Sequence, residues 1–319
     1  MEKKDFRIVF MGTPDFAVSI LEGLVSANFN IVSVVTAPDK PAGRGQQLSE
    51  SAVKKAAVAH SIPVLQPTNL KDDGFIHELQ SLNADLFVVV AFRMLPEIVW
   101  AMPPKGTINL HASLLPNYRG AAPINWAVIN GEKETGVTTF FIEKEIDTGK
   151  VIEQEKIAIE ENETVGEVHD KLMALGTKLT VSTVSKIMNE EANGIEQDSM
   201  TTSVLKNAPK IFKPDCKVNW NQDVTVVHNF IRGLSPYPTA WTELTNNATG
   251  EAKSFKLFIS SKTTQIVKDQ SALLFSSDGI LFPCADFYLC VTEFQMEGKR
   301  RMNYKEFLAG NRIEDWVIG

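Results

Sequence analysis

The chain has 319 residues, of which 44% are hydrophobic and 22% charged, a composition typical of a globular protein with room for two domains. Its net charge of −7 argues against a protein that coats nucleic acid over its whole surface, but is compatible with a local basic site. No apolar run is long enough to span a bilayer, so we expect no association with membranes.

The first two thirds of the chain alternate apolar strands with amphipathic helices. The run from Phe6 to Met11 predicts a buried strand, and Thr13 and Pro14 are predicted as the N-cap and first residue of the following helix. The strands are apolar along their whole length, as in a parallel sheet covered on both faces. The pattern predicts an α/β fold with a doubly wound, Rossmann-like, mostly parallel sheet. Further strands are predicted at 31–36, 85–91, 106–110, 136–142 and 151–159, and helices at 51–60, 73–82, 121–129 and 165–191.

The last third of the chain has a different pattern. Residues 193–206 are polar and without periodicity, which predicts a linker between a catalytic domain at 1–192 and a second domain at 207–319. Short β-like runs then alternate with turns, which predicts a small OB-like β-barrel, a fold that often binds nucleic acid. The runs lie at 240–244, 255–260, 272–275, 280–282 and 287–294.

The three cysteines, Cys216, Cys284 and Cys290, are too sparse and too widely spaced for a zinc site or a redox motif. No other cluster of His, Cys and carboxylate residues has metal-ligand spacing, so we expect no metal. An odd, sparse cysteine count favours free thiols in a reducing compartment. The first residues also lack the apolar core of a signal peptide. Together these features predict a cytoplasmic protein.

The stretch from Asn109 to Pro116, at the end of a predicted strand, is the most informative part of the sequence. Side chains at positions i and i+2 leave a strand on the same face, so Asn109 and His111 point together. A histidine in such a position is often only a polar residue with satisfied hydrogen bonds. With an amide beside it, the pair suits the stabilisation of a developing oxyanion. The pair predicts acyl-type transfer through a tetrahedral intermediate.

Asp147 is the candidate third member of this site, because a carboxylate beside a histidine orients the ring and favours its charged form. Asp147-Thr148-Gly149 is equally a common turn sequence. Aspartic proteases carry the same triplet but need two carboxylates sharing a proton, and the chain has one such motif. No P-loop or dinucleotide fingerprint is present. The Gly-Xaa-Ser-Xaa-Gly elbow is absent too, so Ser113 is not expected to be a nucleophile. Direct transfer is favoured over covalent catalysis.

Together, Asn109-Xaa-His111, the run Ser113-Leu114-Leu115-Pro116 and Asp147 resemble the folate-dependent formyltransferases. The similarity covers essentially the whole chain. The segment from Pro38 to Gly45 narrows the resemblance to the branch that formylates methionyl-tRNA, and residues 118–124 point the same way more weakly.

The resemblance implies transfer of the formyl group of 10-formyltetrahydrofolate, a cosubstrate, to the α-amino group of methionyl initiator tRNA for translation initiation. It implies that Asn109 and His111 stabilise the tetrahedral intermediate, while Asp147 orients His111 and assists proton movement. The implied folate contacts are Ser113, Leu114, Leu115 and Pro116 in one run, and Phe92, Arg93, Met94 and Leu95 in another.

The resemblance also implies the tRNA contacts. Arg44, in a glycine-flanked loop that also carries Lys40, matches the arginine that enters the acceptor end of the tRNA, and Lys210 matches a basic position at the start of the second domain. From the pattern alone, the loop is equally well a surface loop with scattered charge. Phosphate contacts of this kind make binding weaken as salt rises. We expect a monomer whose partners are initiator methionyl-tRNA and the folate.

Two other functions stay open. A sugar-nucleotide N-formyltransferase uses the same folate donor and shares Asn109, His111 and Asp147, but the long loop around Arg44 argues against it. A catalytically inert folate- or RNA-binding protein belongs to a different class, and the intact trio argues against that function.

Overall fold

The computed structural model describes residues 2–42, 47–200 and 204–319. The chain divides into two compact units, each built from several stretches of sequence. The first unit comprises Met1–Gly120, Gly136–Ile157 and Lys171–Asn207, and the second comprises Ala121–Thr135, Ala158–Asp170 and Ala208–Gly319. The domain and linker boundaries given above stay a prediction.

The helices and strands have the following bounds. The strands are β1 Arg7–Gly12, β2 Asn30–Val35, β3 Lys40–Ala42, β4 Gln47–Ser49, β5 Val64–Leu65, β6 Leu86–Val90, β7 Thr107–His111, β8 Arg119–Gly120, β9 Glu134–Phe141, β10 Val151–Ala158, β11 Asn207–Ala208, β12 Ala240–Asn246, β13 Ala252–Ile266, β14 Leu274–Phe275, β15 Ile280–Pro283, β16 Phe287–Met296, β17 Met302–Asn303 and β18 Trp316–Ile318. The helices are α1 Asp15–Ser26, α2 Ala52–Ala59, α3 Asp73–Ser81, α4 Glu97–Trp100, α5 Pro123–Ile129, α6 Val165–Met188, α7 Val224–Leu234 and α8 Tyr304–Leu308. Single 3-10 turns occupy Gln197–Ser199, Lys213–Cys216 and Ile313–Asp315.

A seven-stranded sheet in the order β10-β9-β7-β6-β1-β2-β5 forms the centre of the first unit. In this spatial order, every neighbouring pair of strands between β7 and β5 is parallel, whereas β9 pairs antiparallel with β7. In β1, Val9 and Met11 pack into a core with residues of α3, while Ile8 and Phe10 on the other face are also fully buried. Burial on both faces explains the continuous apolar runs, and the predicted mostly parallel α/β sheet is confirmed.

The predicted start of the first helix is wrong by one residue. Pro14 has an extended ψ of 176° and occupies the N-cap position, so helical geometry begins at Asp15. Pro14 has no side-chain hydrogen bond to the helix, and Thr13 precedes the cap. The predicted Thr-Pro start therefore lies one position too early, because Pro14 fixes φ while leaving ψ free to remain extended.

An antiparallel sheet in the order β14-β15-β16-β13-β12-β18 forms most of the second unit. A bridge between Ala272 and Val317 links the region beside β14 to β18, so the sheet curls back on itself. Register shifts between β13 and β16 mark irregularities of the kind that bend a strand. The predicted OB-like barrel is confirmed as this curled sheet. Its interior holds a cluster of aromatic side chains, Phe255, Phe294, Phe307 and Trp316.

Two buried basic side chains of α7 hold the acidic turn at residues 160–163, within the second unit. Arg232 is 4% exposed, and its Nη1 donates to the carbonyl oxygens of Glu160 at 3.3 Å and Glu163 at 2.8 Å. His228 is 1% exposed, with Nε2 3.3 Å from the carbonyl oxygen of Glu161 and Nδ1 3.0 Å from Ser260 Oγ. Burial lowers the pKa of His228 to about 4, so its ring is neutral in the folded protein near neutral pH.

The depressed pKa of His228 predicts a loss of stability in mild acid. The contribution of the neutral His228 ring to the free energy of unfolding is complete above the ordinary pKa of 6.5. It is lost as pH falls toward about 4, because the unfolded chain takes up the proton first. The loss approaches about 3 kcal/mol, at about 1.4 kcal/mol per pH unit. Urea unfolding of the wild type and H228Q between pH 7.5 and 4.5 measures it.

H228Q keeps an amide that can donate to the Glu161 carbonyl but does not titrate. We therefore expect a shallower fall in the free energy of unfolding for H228Q than for the wild type. Identical pH dependence in the two proteins contradicts a neutral buried His228.

Candidate active site

The end of strand β7 presents Asn109 and His111 on one face, as the sequence predicts. Ile108 and Leu110 on the opposite face are buried, and Leu110 packs against Gly176 of α6. Across the sheet, Asn109 pairs with Phe140 and His111 with Thr138 of β9. The apolar residues of β7 thus anchor the strand in the sheet and direct the two polar side chains together.

The side-chain amide of Asn109 is available for a ligand. Asn109 is half-buried, and within the described ranges its side chain makes no hydrogen bond. An amide offers two N–H donors and one oxygen acceptor. Because this side chain makes no hydrogen bond to the part of the protein that the structure describes, one of its N–H groups can point at an oxygen of a bound substrate.

The tautomer of His111 follows from its contact with the backbone. The ring is buried, and its Nε2 lies 2.8 Å from the carbonyl oxygen of Tyr118. A carbonyl oxygen only accepts hydrogen bonds, so Nε2 is the nitrogen that donates. A neutral ring therefore has no proton on Nδ1, and Nδ1 carries a proton only when the imidazole is positively charged.

Asp147 faces that second nitrogen. Its Oδ2 lies 3.8 Å from His111 Nδ1, and both side chains are largely shielded from solvent. The same oxygen accepts a hydrogen bond of 3.0 Å from the backbone N–H of Gly120. The Asp147 backbone adopts a left-handed φ of 55° in the connection between β9 and β10. The carboxylate is thus placed to stabilise a positive charge on the ring.

The structure therefore brings together the three residues predicted as the catalytic trio. A neutral donor, a switchable imidazole and a carboxylate converge at the end of β7. Such a set can hydrogen-bond an oxyanion and move a proton, the two needs of acyl transfer. Two backbone groups that fix the trio, the Tyr118 carbonyl and the Gly120 N–H, are not apparent from the sequence. Nor is Gln197, which contacts the Asp147 backbone. Hydropathy patterning gives no signal for these long-range hydrogen bonds.

The predicted folate contacts divide into two groups. Arg93, Met94 and Leu95 line an open groove of about 630 Å³ that also includes residues 68–71 and 96–98. Phe92 is half-buried and packs against the hydrophobic core that contains Val9 and Met11 of β1. In this groove the side chain of Met94 is 71% exposed, and Arg93 donates to the carbonyl oxygens of Pro67 and Thr68.

The second folate group has mostly buried side chains. Ser113, Leu115 and Pro116 are buried, and Leu114 is half-buried. Ser113 Oγ donates to the carbonyl oxygen of Asn117 at 2.7 Å, a contact that fixes the local loop. None of the four is among the described residues that line the groove.

The predicted basic contacts are only partly visible. Arg44 lies outside the described residues. Lys40 is exposed and begins β3, which pairs with β4. Just before it, the Asp39 carboxylate forms an ion pair of 2.5 Å with Lys54 Nζ, and this contact fixes the base of the β3–β4 segment. In the second unit, Lys210 is exposed and its Nζ lies 5.2 Å from the ring centroid of Phe212.

No group of three or more His, Cys, Asp or Glu side chains that could hold a metal ion occurs among residues 2–42, 47–200 and 204–319. Over the same ranges, no helix has the length and apolar character needed to cross a membrane.

Comparison with family models matches two parts of the chain. Residues 6–184 match the formyl transferase model, and residues 210–312 match the model of the formyl transferase C-terminal domain. The chain belongs to the formyltransferase family.

Among its relatives, this formyltransferase is 51% identical to the methionyl-tRNA formyltransferase of Bacteroides thetaiotaomicron, over 99% of the chain and 98% of that protein. It is 48% identical to the enzyme of the same name from Flavobacterium johnsoniae, over 99% and 98%. Among solved structures, it resembles a sugar 3-N-formyltransferase determined with dTDP and 5-N-formyl-THF. The TM-score is 0.66, at 19% identity over 92% of the chain and 99% of the other. This second likeness concerns the fold.

Removal of the Asp147 charge tests the trio. D147N keeps the size of the side chain and an oxygen for the Gly120 N–H, but no longer stabilises a charged His111. We expect kcat for formyl transfer to fall about 10²- to 10³-fold, as when one electrostatic contact is removed from an acyl-transfer site. The matched control is E145Q, which neutralises an exposed carboxylate in the same loop and is expected to change kcat less than about twofold.

Steady-state kinetics with both substrates saturating measure the effect, and circular dichroism checks the fold. A folded D147N protein with kcat close to that of E145Q contradicts a role for the Asp147 carboxylate.

Proposed function

We propose that this formyltransferase transfers the formyl group of 10-formyltetrahydrofolate directly to the α-amino group of methionyl initiator tRNA, for translation initiation in the cytoplasm. The acceptor assignment rests on sequence identity. About half of the residues, over nearly the whole length, are identical to those of proteins named methionyl-tRNA formyltransferase. The sugar formyltransferases that share the fold are only 19% identical. Membership of the formyltransferase family also argues against a catalytically inert binding protein.

Asn109 and His111 stabilise the charge that develops on the formyl oxygen. When the acceptor nitrogen bonds to the formyl carbon, the carbonyl electron pair moves to oxygen and creates an oxyanion. Asn109 donates through its side-chain amide, which carries no charge. Because the Tyr118 carbonyl engages Nε2 of His111, the ring can donate to the oxyanion only from a protonated Nδ1. His111 therefore acts as an imidazolium at this stage.

Asp147 stabilises that imidazolium from 3.8 Å. Collapse of the intermediate re-forms the carbonyl and breaks the bond between the formyl carbon and the donor nitrogen. The acceptor nitrogen loses one proton and the donor nitrogen gains one, so the reaction has no net proton change. The His111–Asp147 pair is placed to carry this proton.

The groove beside residues 93–95 suits a folate. A flat aromatic ligand with a carboxylate tail needs apolar surface next to a cation. Met94 and Ile98 supply that surface, with exposures of 71% and 56%, and Arg93 and Lys71 supply positive charge. The folate supplies an activated formyl group.

The tRNA contacts are proposed for Lys40, Arg44 and Lys210. Lys40 is exposed on a segment whose base is fixed by Asp39 and Lys54. Lys210 is exposed beside an exposed aromatic ring, a combination that binds phosphate and stacks a base. Local sites of this kind allow a protein of net charge −7 to bind a polyanion.

An assay with each candidate acceptor tests which molecule receives the formyl group. The purified protein is incubated with 10-formyltetrahydrofolate and either methionyl-tRNA or an amino-sugar nucleotide. We expect formyl-methionyl-tRNA and no formylated sugar. Uncharged initiator tRNA, which lacks the reacting amine, is the control. Formylation of the sugar nucleotide alone contradicts the proposed function.

Neutralisation of the basic residues tests the tRNA contacts. For R44A, K40A and K210A, we expect kcat/KM for methionyl-tRNA to fall. Its logarithm should also depend less steeply on the logarithm of salt concentration, by about one unit of slope for each phosphate that the variant no longer binds. The KM for the folate should stay within about twofold, since the groove is intact. K4A, which removes an exposed lysine paired with Glu2, is the control. An equal loss of folate affinity contradicts the assignment.

A further inference from the structure

We propose that Gln197 is a positioning residue of this enzyme, which sets the distance between Asp147 and His111 without touching substrate. This inference rests on the proposed function, because it concerns the carboxylate that acts on His111. Gln197 lies in a polar stretch of sequence without periodicity, yet its side chain is 2% exposed. It is the first residue of a 3-10 turn in the first unit.

Every hydrogen-bonding position of the Gln197 amide is occupied. Nε2 donates to the carbonyl oxygens of Asp147 at 2.9 Å and Gly149 at 2.8 Å. Oε1 accepts from Arg119, from Nε at 3.0 Å and from Nη2 at 2.6 Å. An amide has two N–H donors and an oxygen with two lone pairs, so this environment satisfies all four. The orientation is unambiguous, because a flipped amide would place its oxygen against two carbonyls and its NH₂ against a guanidinium.

The connection that carries Asp147 depends on such contacts. Residues 143–146, which precede Asp147, are exposed and form little packing of their own. Asp147 also adopts a left-handed φ of 55°, a conformation that costs a non-glycine residue free energy. The two hydrogen bonds from Gln197 hold the backbone on either side of Thr148. They thereby fix the point from which the carboxylate extends.

The other side of the amide reaches the segment that orients His111. Arg119, which donates to Gln197, follows Tyr118, whose carbonyl oxygen contacts His111 Nε2. Gly120 follows in turn, and its N–H donates to the Asp147 carboxylate. Gln197 therefore links the segment that orients the imidazole to the segment that presents the carboxylate. Its removal would let the two separate, although neither reacting group is altered.

Substitution by methionine keeps the length of the side chain and removes the amide. In Q197M, we expect faster hydrogen exchange at the Gly120 N–H, because its acceptor is the Asp147 carboxylate. We expect at least tenfold loss of protection, measured by NMR on the full chain without substrate. Should Q197M be insoluble, Q197E makes the same test, since it faces both carbonyls with an oxygen and keeps the contact to Arg119.

Q154M is the matched control. The Gln154 amide also donates to two acceptors in the first unit, the Leu115 carbonyl oxygen at 2.7 Å and Thr138 Oγ1 at 2.9 Å, but does not contact Asp147. Protection of Gly120 should be unchanged in Q154M. Equal loss of protection in Q154M and Q197M, or no loss in Q197M, overturns the proposed link.

A double-mutant cycle connects the link to catalysis. We expect Q197M to lower kcat about 10- to 100-fold with KM values within about threefold, since misplacement by about 1 Å costs on this scale. In the D147N background the same substitution should cost less than about twofold, because the carboxylate it positions is absent. Equal losses in both backgrounds indicate a general structural role and overturn the proposal. Because the exchange measurement needs no acceptor, failure of the proposed tRNA activity is distinguishable from failure of this inference.

Discussion

The hydrogen bond between His111 Nε2 and the carbonyl oxygen of Tyr118 is the constraint on which the chemistry of this site depends. It assigns one ring nitrogen to the protein and leaves Nδ1 as the nitrogen that can meet a substrate. It also means that a donating Nδ1 requires a charged ring. The Asp147 carboxylate, 3.8 Å away, is then needed to stabilise that charge. The uncharged Asn109 amide adds a second donor without adding to the charge of the site.

Strand β7 and the loops that follow β7 and β9 supply the groups of this site. Strand β7 ends beside β6 on one side and is paired antiparallel with β9 on the other. The chain leaves β7 and passes Tyr118 and Gly120, whereas β9 ends opposite Ile108, near the start of β7. The loop after β9 then turns back, so that Asp147 lies beside His111. The buried apolar residues of β7 hold the end of this strand rigid, which limits the reorganisation that the site undergoes as charge develops.

Sequence patterns predicted those parts of the molecule that depend on local periodicity. The apolar runs of β1 and β6 predicted the parallel sheet, and the i, i+2 spacing predicted the shared face of Asn109 and His111. The groups that hold the site in place had no such signal. Gln197 contacts Asp147 across 50 positions of sequence, and the Gly120 contact is made by a backbone N–H that every residue except proline possesses. The Pro14 error shows the same limit, since the proline ring fixes φ but not ψ.

A crystal structure with a stable folate analogue that carries a carbonyl at the formyl position tests the account most directly. We expect the carbonyl oxygen to lie within about 3.2 Å of both Asn109 Nδ2 and His111 Nδ1, while Nε2 keeps its contact with Tyr118. A carbonyl oxygen directed away from both nitrogens, with the analogue bound in the groove beside Arg93, would contradict it.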